Sequence, residues 1–347
     1  MSDISRSWIF RNRPNGLPTS SGPQPTFELT TTKLPSLKDN QVLVRTLYLS
    51  NDPAQRGWLE DVPLDRSYVP PVQLNTPMRA FGVGKVTESK ASHLKPGTIV
   101  QAALGWNEYV VLNAGDCTPR TTPTPQVVSV TNYLGALGGN GITAYYGLVE
   151  IGQVKAGQRI VVSGAAGATG SMVVQIAKHL LGCSEVIGIA GSEEKCRWIE
   201  SLGADTCLNY KHAEFYDELA TATKGFVDVF YDNVGGNILD FMLTRLKQNG
   251  TVVACGGIAG YNSGGGIKLQ NYMDIIHMRL SIRGFIVIDY LDKAQGTIEI
   301  LVKAIEDGKI KVRECEQVVP SRFEDIPETW LKLFEGGNTG KLITEIV

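Results

Sequence analysis

The fold predicted is a two-domain α/β protein: a small β-rich domain, folded as a partly open β-barrel, interrupted by a doubly wound parallel sheet. Three observations predict it. At 347 residues the chain exceeds what one ordinary core accommodates. Residues 1 to about 125 alternate short β-like runs with turn residues, whereas from about 126 strands alternate with helical patterns. The tail beyond 310 returns to β character, so the parallel sheet reads as an insertion. Residues 1–130 and 310–347 then form the β-rich domain and residues 131–309 the parallel-sheet domain.

In the first part, Gln41 to Leu49 is a strong alternating strand closed by the polar turn Ser50 to Pro53. Further strands are expected at Ala80 to Thr87, at Thr98 to Ala103 (entered through Lys95, Pro96 and Gly97), and at Glu108 to Leu112. Thr118 to Pro125 is a proline-rich crossing. Tyr133 to Glu150 is a helical segment broken by glycines. Strands then fall at Ile160 to Ser163, Glu185 to Ala190, Thr206 to Asn209, Val227 to Tyr231, Thr251 to Cys255 and Ile282 to Ile288. Between and after them helices are expected over 193–202, 213–223, 237–248, 268–279 and 290–308. The tail holds β character from Lys311 to Val319, a helix near Glu324 to Phe334, and a last strand.

One run carries the chemistry. The strand Ile160 to Ser163 enters a loop with Gly164, Gly167 and Gly170, and a helix follows with Met172, Val173, Ile176, Ala177 and Leu180 on one face. Glycines let the backbone approach a pyrophosphate, and the free amides at the helix start supply donors and a positive dipole end. The spacing departs from G-x-G-x-x-G, so the strand–loop–helix context carries the reading of a dinucleotide site. At the end of the second strand stand Gly191 and Ser192, with room for a phosphate, and Lys195 falls in the first turn of the next helix. A cation there opposes the helix dipole by roughly 0.3–1 kcal/mol, which a bound 2′-phosphate of NADP would explain. Glu193 or Glu194 stands open as the acid that an NAD ribose would need. Tyr210, ending the third strand, is either a phosphate or adenine contact or a half-buried strand-end ring. The segments Asp232 to Gly236 and Cys255 to Tyr261 follow the fourth and fifth strands, at the carboxyl edge where such sheets bind ligands.

Composition excludes several classes. Hydrophobic residues make up 43% and charged residues 20%, with 33 basic against 35 acidic side chains and a net charge of −2. No dense basic run exists to attract nucleic acid or an anionic membrane. Neither a signal peptide nor a membrane span is readable, which makes the cytoplasm the expected compartment. Six cysteines are scattered without C-x-x-C spacing and are expected as reduced thiols.

The motifs Leu47 to Pro53 with Arg56 and Gly57, Gly141 to Tyr145 with Gly147 and Leu148, Gly167 to Gly170, Gly191 to Lys195, Asn209 to Lys211, Asp232 to Gly236, Tyr261 with Asn262, and Gly336 to Lys341 together resemble the zinc-independent medium-chain dehydrogenase/reductases. Within these, the chain is most similar to the prostaglandin reductase and alkenal double-bond reductase family. The resemblance implies a GroES-like domain plus a Rossmann domain, and NADPH-dependent reduction of α,β-unsaturated carbonyls. Carried onto this sequence, it implies a phosphate loop of Gly167, Ala168, Thr169 and Gly170, with Ser192, Lys195 and Tyr210 at the 2′-phosphate end. Asn233, the loop Cys255, Gly256, Gly257 to Tyr261, then Phe285, Ile286, Val287 and Asn338 would line the nicotinamide half. Many relatives carry tyrosine and methionine where this chain has Ala54 and Gln55, so their substrate range does not transfer.

That chemistry places a hydride on the β-carbon of an enone and a proton on the α-carbon, with negative charge developing on the carbonyl oxygen. Candidate donors are Tyr261, a ribose hydroxyl and water. Tyr261 is equally readable as a ring that covers the cofactor, and Trp58 and Trp106 as pocket walls or as core. A zinc alcohol dehydrogenase would need cysteine and histidine ligands in the first domain, yet residues 1–116 contain only His93. A quinone reductase and a catalytically silent NADP-binding protein are the alternatives. The partner expected is a small-molecule carbonyl compound, and the assembly a homodimer with Ile282 to Ile288 as its seam.

Overall fold

The computed structural model describes residues 4–120, 128–263 and 266–347. The proline-rich crossing beyond Arg120 lies outside them. The chain groups into two compact units, one of Met1–Leu134, Gln317–Asn338 and Leu342–Val347, the other of Gly135–Glu316 and Thr339–Lys341.

The first unit begins with an antiparallel pair, β1 (Ile4–Phe10) and β2 (Phe27–Lys33). The sequence carries no clear strand pattern at these residues. They are strands because Trp8, Ile9, Phe10 and Phe27 enter the core. There follow β3 (Gln41–Ser50), β4 (Phe81–Ser89), β5 (Ile99–Ala103), β6 (Tyr109–Asn113) and β7 (Thr118–Pro119). An aromatic cluster fills this unit: the ring centroids of Phe27 and Trp106 lie 4.8 Å apart, and those of Trp106 and Trp330 5.7 Å. Trp106 is therefore core, while Trp58 is half-buried and donates from Nε1 to the Tyr68 hydroxyl at 2.8 Å. Arg56 is 2% exposed. Its guanidinium donates to the Gly16 carbonyl at 3.0 Å and pairs with Glu60, so this motif residue braces the fold.

The second unit starts with α1 (Gly139–Tyr146), which runs into a wider π-turn over Gly147–Ile151. Glycine is required at 147, because a Cβ there would meet the Tyr231 hydroxyl at 2.4 Å. Then come β8 (Arg159–Val162), α2 (Ala168–Gln175), β9 (Glu185–Ala190), α3 (Glu193–Ser201), β10 (Thr206–Asn209), α4 (Phe215–Ala222), β11 (Val227–Asp232), α5 (Gly236–Leu243), β12 (Leu246–Ala254), α6 (Tyr272–His277), β13 (Ser281–Gly284) and α7 (Ala294–Glu306). The sheet order is β10-β9-β8-β11-β12-β13, with every pair parallel. Central strands read as continuous apolar runs because helices cover both faces. Order reverses beside β8, which puts the ligand crevice at the carboxyl ends of β8 and β11.

The chain ends with β14 (Glu316–Ser321), α8 (Ile326–Leu331) and β15 (Lys341–Ile346). The larger antiparallel sheet runs β14-β15-β3-β4-β5-β7, with β6 paired to β3.

Several element boundaries differ from expectation. The helix expected over 237–248 stops at Leu243: Arg245 turns back to the Thr223 hydroxyl at 2.8 Å, and Leu246 is buried as the start of β12. The strand expected through Ile288 ends at Gly284, after which Val287–Lys293 forms a 3-10 turn. Helix α7 begins at Ala294, not 290. Lys311 is not in a strand, because its amide is taken by the Gln175 carboxamide at 2.7 Å. Among the described residues no helix is long and apolar enough to cross a membrane.

Candidate functional site

The glycine loop is shaped by three different demands. Gly164 holds a φ of +57°, a conformation L side chains rarely adopt. Its carbonyl receives the Gly167 amide at 3.0 Å, and Gly167 is the N-cap of α2. At Gly170 a Cβ would meet the Gly164 carbonyl oxygen at 2.3 Å, so only glycine lets the helix sit on its own loop. The next residues, Ala168 and Thr169, open α2, and first-turn amides lack partners within a helix. Asn140, in the first turn of α1, donates to the Thr169 hydroxyl at 3.2 Å. On its other side the loop is held by the C-terminal strip: Gly340 donates to the Ala166 carbonyl at 2.8 Å and bridges Gly167. Glycine is needed at 340 as well, since a Cβ would lie 2.2 Å from the Cys315 carbonyl.

At the β9 and β10 ends the side chains are open. Ser192 caps α3, its hydroxyl accepting the Lys195 amide at 3.2 Å. The Lys195 ammonium is pushed below the usual lysine range, first by burial and then by the charge of Lys211. Two cations brought together in a partly desolvated place suit a doubly charged anion. Tyr210 is 47% exposed, and its ring lies against Gly191, where a Cβ would meet Cε1 at 3.0 Å. Glu193, open in the sequence as a ribose acceptor, instead receives the Asn209 amide and pairs with His212, each at 3.0 Å.

At the β8, β11 and β12 ends the groups are locked. The Asp232 carboxylate, 2% exposed, accepts the Ser163 hydroxyl at 2.7 Å and the Val234 and Gly235 amides at 3.0 Å. Burial pushes its pKa up, and those hydrogen bonds oppose the shift. Asn233 donates its main-chain amide to the Ser163 hydroxyl at 2.9 Å and its side-chain amide to the Ser163 carbonyl at 2.7 Å. The Cys255 and Gly256 amides both donate to the Asp232 carbonyl, at 2.9 and 3.1 Å. Burial pushes the Cys255 thiol up to about 12, so it is a neutral group beside the Tyr231 hydroxyl. The Gly257 amide donates to the Tyr261 hydroxyl at 3.3 Å, which folds that phenol over its own loop. Phe285, Ile286 and Val287 leave β13 half-buried. Asn338 belongs to the first unit.

The residues missing from the sequence-derived set are Ser163, Asp232, Asn140, Lys211 and Gly340. A motif signal existed only for Asp232, Lys211 and Gly340, because the partners of the other two lie far off in sequence.

Two family models match: an N-terminal domain of oxidoreductase over residues 6–119 and a zinc-binding dehydrogenase over residues 168–306. Among the described residues no group of three or more histidine, cysteine, aspartate or glutamate side chains is placed to hold a metal. Mouse prostaglandin reductase 1 is 35% identical, covering 98% of this chain and 99% of its own. The NADPH-dependent curcumin reductase of Escherichia coli K12 is 35% identical over 99% of this chain and 97% of its own. The crystal structure of CurA in complex with NADPH from Vibrio vulnificus is 33% identical, with a TM-score of 0.88 over 99% of both chains. With likeness of this extent at both ends and across the glycine loop, the chain belongs to the zinc-independent medium-chain dehydrogenase/reductase family.

Proposed function

We propose that the protein reduces the carbon–carbon double bond of α,β-unsaturated aldehydes and ketones with NADPH and without a metal. The observation that carries the reading is the chain-length likeness to a prostaglandin reductase and an NADPH-dependent curcumin reductase. The protein is an NADP(H)-binding oxidoreductase, and the residues present fit that cofactor. Gly167 caps α2 and leaves the first-turn amides of that helix to meet a diphosphate, and the Lys195–Lys211 pair offers the charge a 2′-phosphate needs.

We assign the dinucleotide to the parallel-sheet unit. Gly167, Ala168, Thr169 and Gly170 hold the diphosphate, Ser192, Lys195 and Tyr210 the adenosine phosphate. Asn233, Cys255 to Tyr261, and Phe285 to Val287 hold the nicotinamide half. The bound cofactor supplies the hydride. The protein's own task is to orient the substrate, exclude water and place a donor at the developing enolate oxygen. Tyr261 is the donor we assign: a phenol that accepts from an amide is oriented by it and carries its own proton. Cys255, neutral near pH 7, supports the loop and is no nucleophile.

The test is NADPH oxidation with 2-alkenals, enones and quinones, using the parent and Tyr261→Phe. Enals and enones should be turned over faster than quinones, and the variant should lose about 10²-fold in kcat with NADPH affinity unchanged. Preference for quinones would replace the proposal with a quinone reductase. A variant within a few-fold of the parent would leave protonation to water.

A further inference from the structure

The cofactor reading uses Asn233 but neither of the groups that hold it. Asn233 sits at the carboxyl end of β11, beside the point where strand order reverses. Its side-chain amide donates to the Ser163 carbonyl at 2.7 Å, which fixes how the carboxamide is turned. That bond uses one Nδ2 hydrogen and sets the plane of the carboxamide, in which Oδ1 is the acceptor offered to a ligand. A hydroxyl is the partner such an atom selects, and an anionic oxygen is the partner it repels.

What keeps this arrangement in place is a buried chain of hydrogen bonds. The Ser163 hydroxyl accepts from the Asn233 main-chain amide at 2.9 Å and donates to Asp232 Oδ1 at 2.7 Å. The same Oδ1 takes the Val234 and Gly235 amides, so its carboxylate also sets the turn that follows Asn233. The main-chain carbonyl of Asp232 gathers the Cys255 and Gly256 amides from the next strand. One residue thus ties together the ends of β8, β11 and β12. A serine hydroxyl has one proton, and here Asp232 takes it, which leaves the hydroxyl oxygen able only to accept from Asn233. The direction in which the Ser163 hydroxyl points is therefore set by the carboxylate.

We infer that Asp232, acting through Ser163, is a positioning residue that presents Asn233 Oδ1 as an acceptor for a sugar hydroxyl on the nicotinamide half of NADPH. The inference rests on the cofactor reading above. It predicts a split between ligands. NADPH spans both halves of the crevice, whereas 2′,5′-ADP reaches only the β9 and β10 end, where Lys195 and Tyr210 stand.

The experiment is equilibrium titration of the intact protein with each ligand, for the parent, Ser163→Ala, Asp232→Ala and Asp232→Asn, with thermal unfolding followed alongside. Ser163→Ala should weaken NADPH by roughly 10-fold and leave 2′,5′-ADP within about 2-fold. Asp232→Asn keeps an oxygen where Oδ1 stands and should recover most of the NADPH affinity that Asp232→Ala loses. If Asp232→Ala does not fold, Ser163→Ala carries the test. Equal weakening of both ligands with a lowered melting temperature would make the network purely structural and overturn the inference. So would unchanged NADPH binding in Ser163→Ala. A parent that binds neither ligand would instead defeat the cofactor reading itself.

Discussion

Beyond β9 and β10 the crevice is bordered by side chains that reach into solvent, with Tyr210 nearly half exposed and Lys195 held at a helix start by a serine cap. Beyond β8, β11 and β12 it is bordered by backbone, glycines and a carboxylate that is only 2% exposed. The first end works by charge that can be exchanged without refolding anything. The second works by shape and by a hydrogen-bond network that ties the strand ends together, so a change there is felt by several strands at once. On the proposed assignment, cofactor choice could be altered at one end while the geometry of the chemistry is kept at the other.

The comparison is broken most forcefully at the loop that joins the two ends. Gly170→Val would place side-chain atoms where a Cβ alone meets the Gly164 carbonyl oxygen at 2.3 Å. NADPH affinity should fall about 100-fold or more, the equivalent of ~3 kcal/mol of overpacking. Titration by cofactor fluorescence measures it, and retained affinity would show that the loop yields. Lys195→Ala should weaken NADPH by about 10–150-fold, roughly 1.5–3 kcal/mol of charge-assisted contact, with NADH hardly changed. Equal losses for both cofactors would mean that Lys195 serves the helix rather than a phosphate. The smallest effect is expected at Cys255. Its pKa is raised to about 12 by burial, so the protonated thiol persists through neutral and mildly alkaline pH and becomes a thiolate only as pH climbs toward 12. Iodoacetamide at pH 8 should leave the peptide containing Cys255 unmodified in the folded protein, as read by mass spectrometry. Rapid labelling there would show that the thiol is not held protonated.

The same contrast explains what the sequence made legible. Lys195, Tyr210 and the glycines announce themselves through position: a cation in a first turn, an aromatic at a strand end, glycines between strand and helix. Ser163 offers no such signal, because its significance lies in a carboxylate at position 232 on a strand that pairs with its own. Glu193 was open as a ribose acceptor because sequence does not show Asn209 and His212 taking its oxygen. In the fold, the parallel sheet was readable from its apolar runs. The pair Ile4–Phe10 and Phe27–Lys33 was not, since the loop between is dense in glycine and proline and the partners join across it. The helix expected over 237–248 overran because Lys247 and Gln248 are good helix formers. Burial of Leu246 decided for the strand.

The bridge between Gly167 and Gly340 has a consequence for how the molecule comes into being. Ribosomes deliver residues 339–341 long after the phosphate loop and its helix have emerged. During synthesis the loop exists without the strip that accompanies it in the finished protein, and the Ala166 carbonyl must find another donor, water being the one at hand. Closing so long a stretch of chain carries an entropic cost that grows only slowly with its length. The delay is therefore one of timing rather than of energy, and the nascent chain acquires the complete cradle only once Gly340 has emerged.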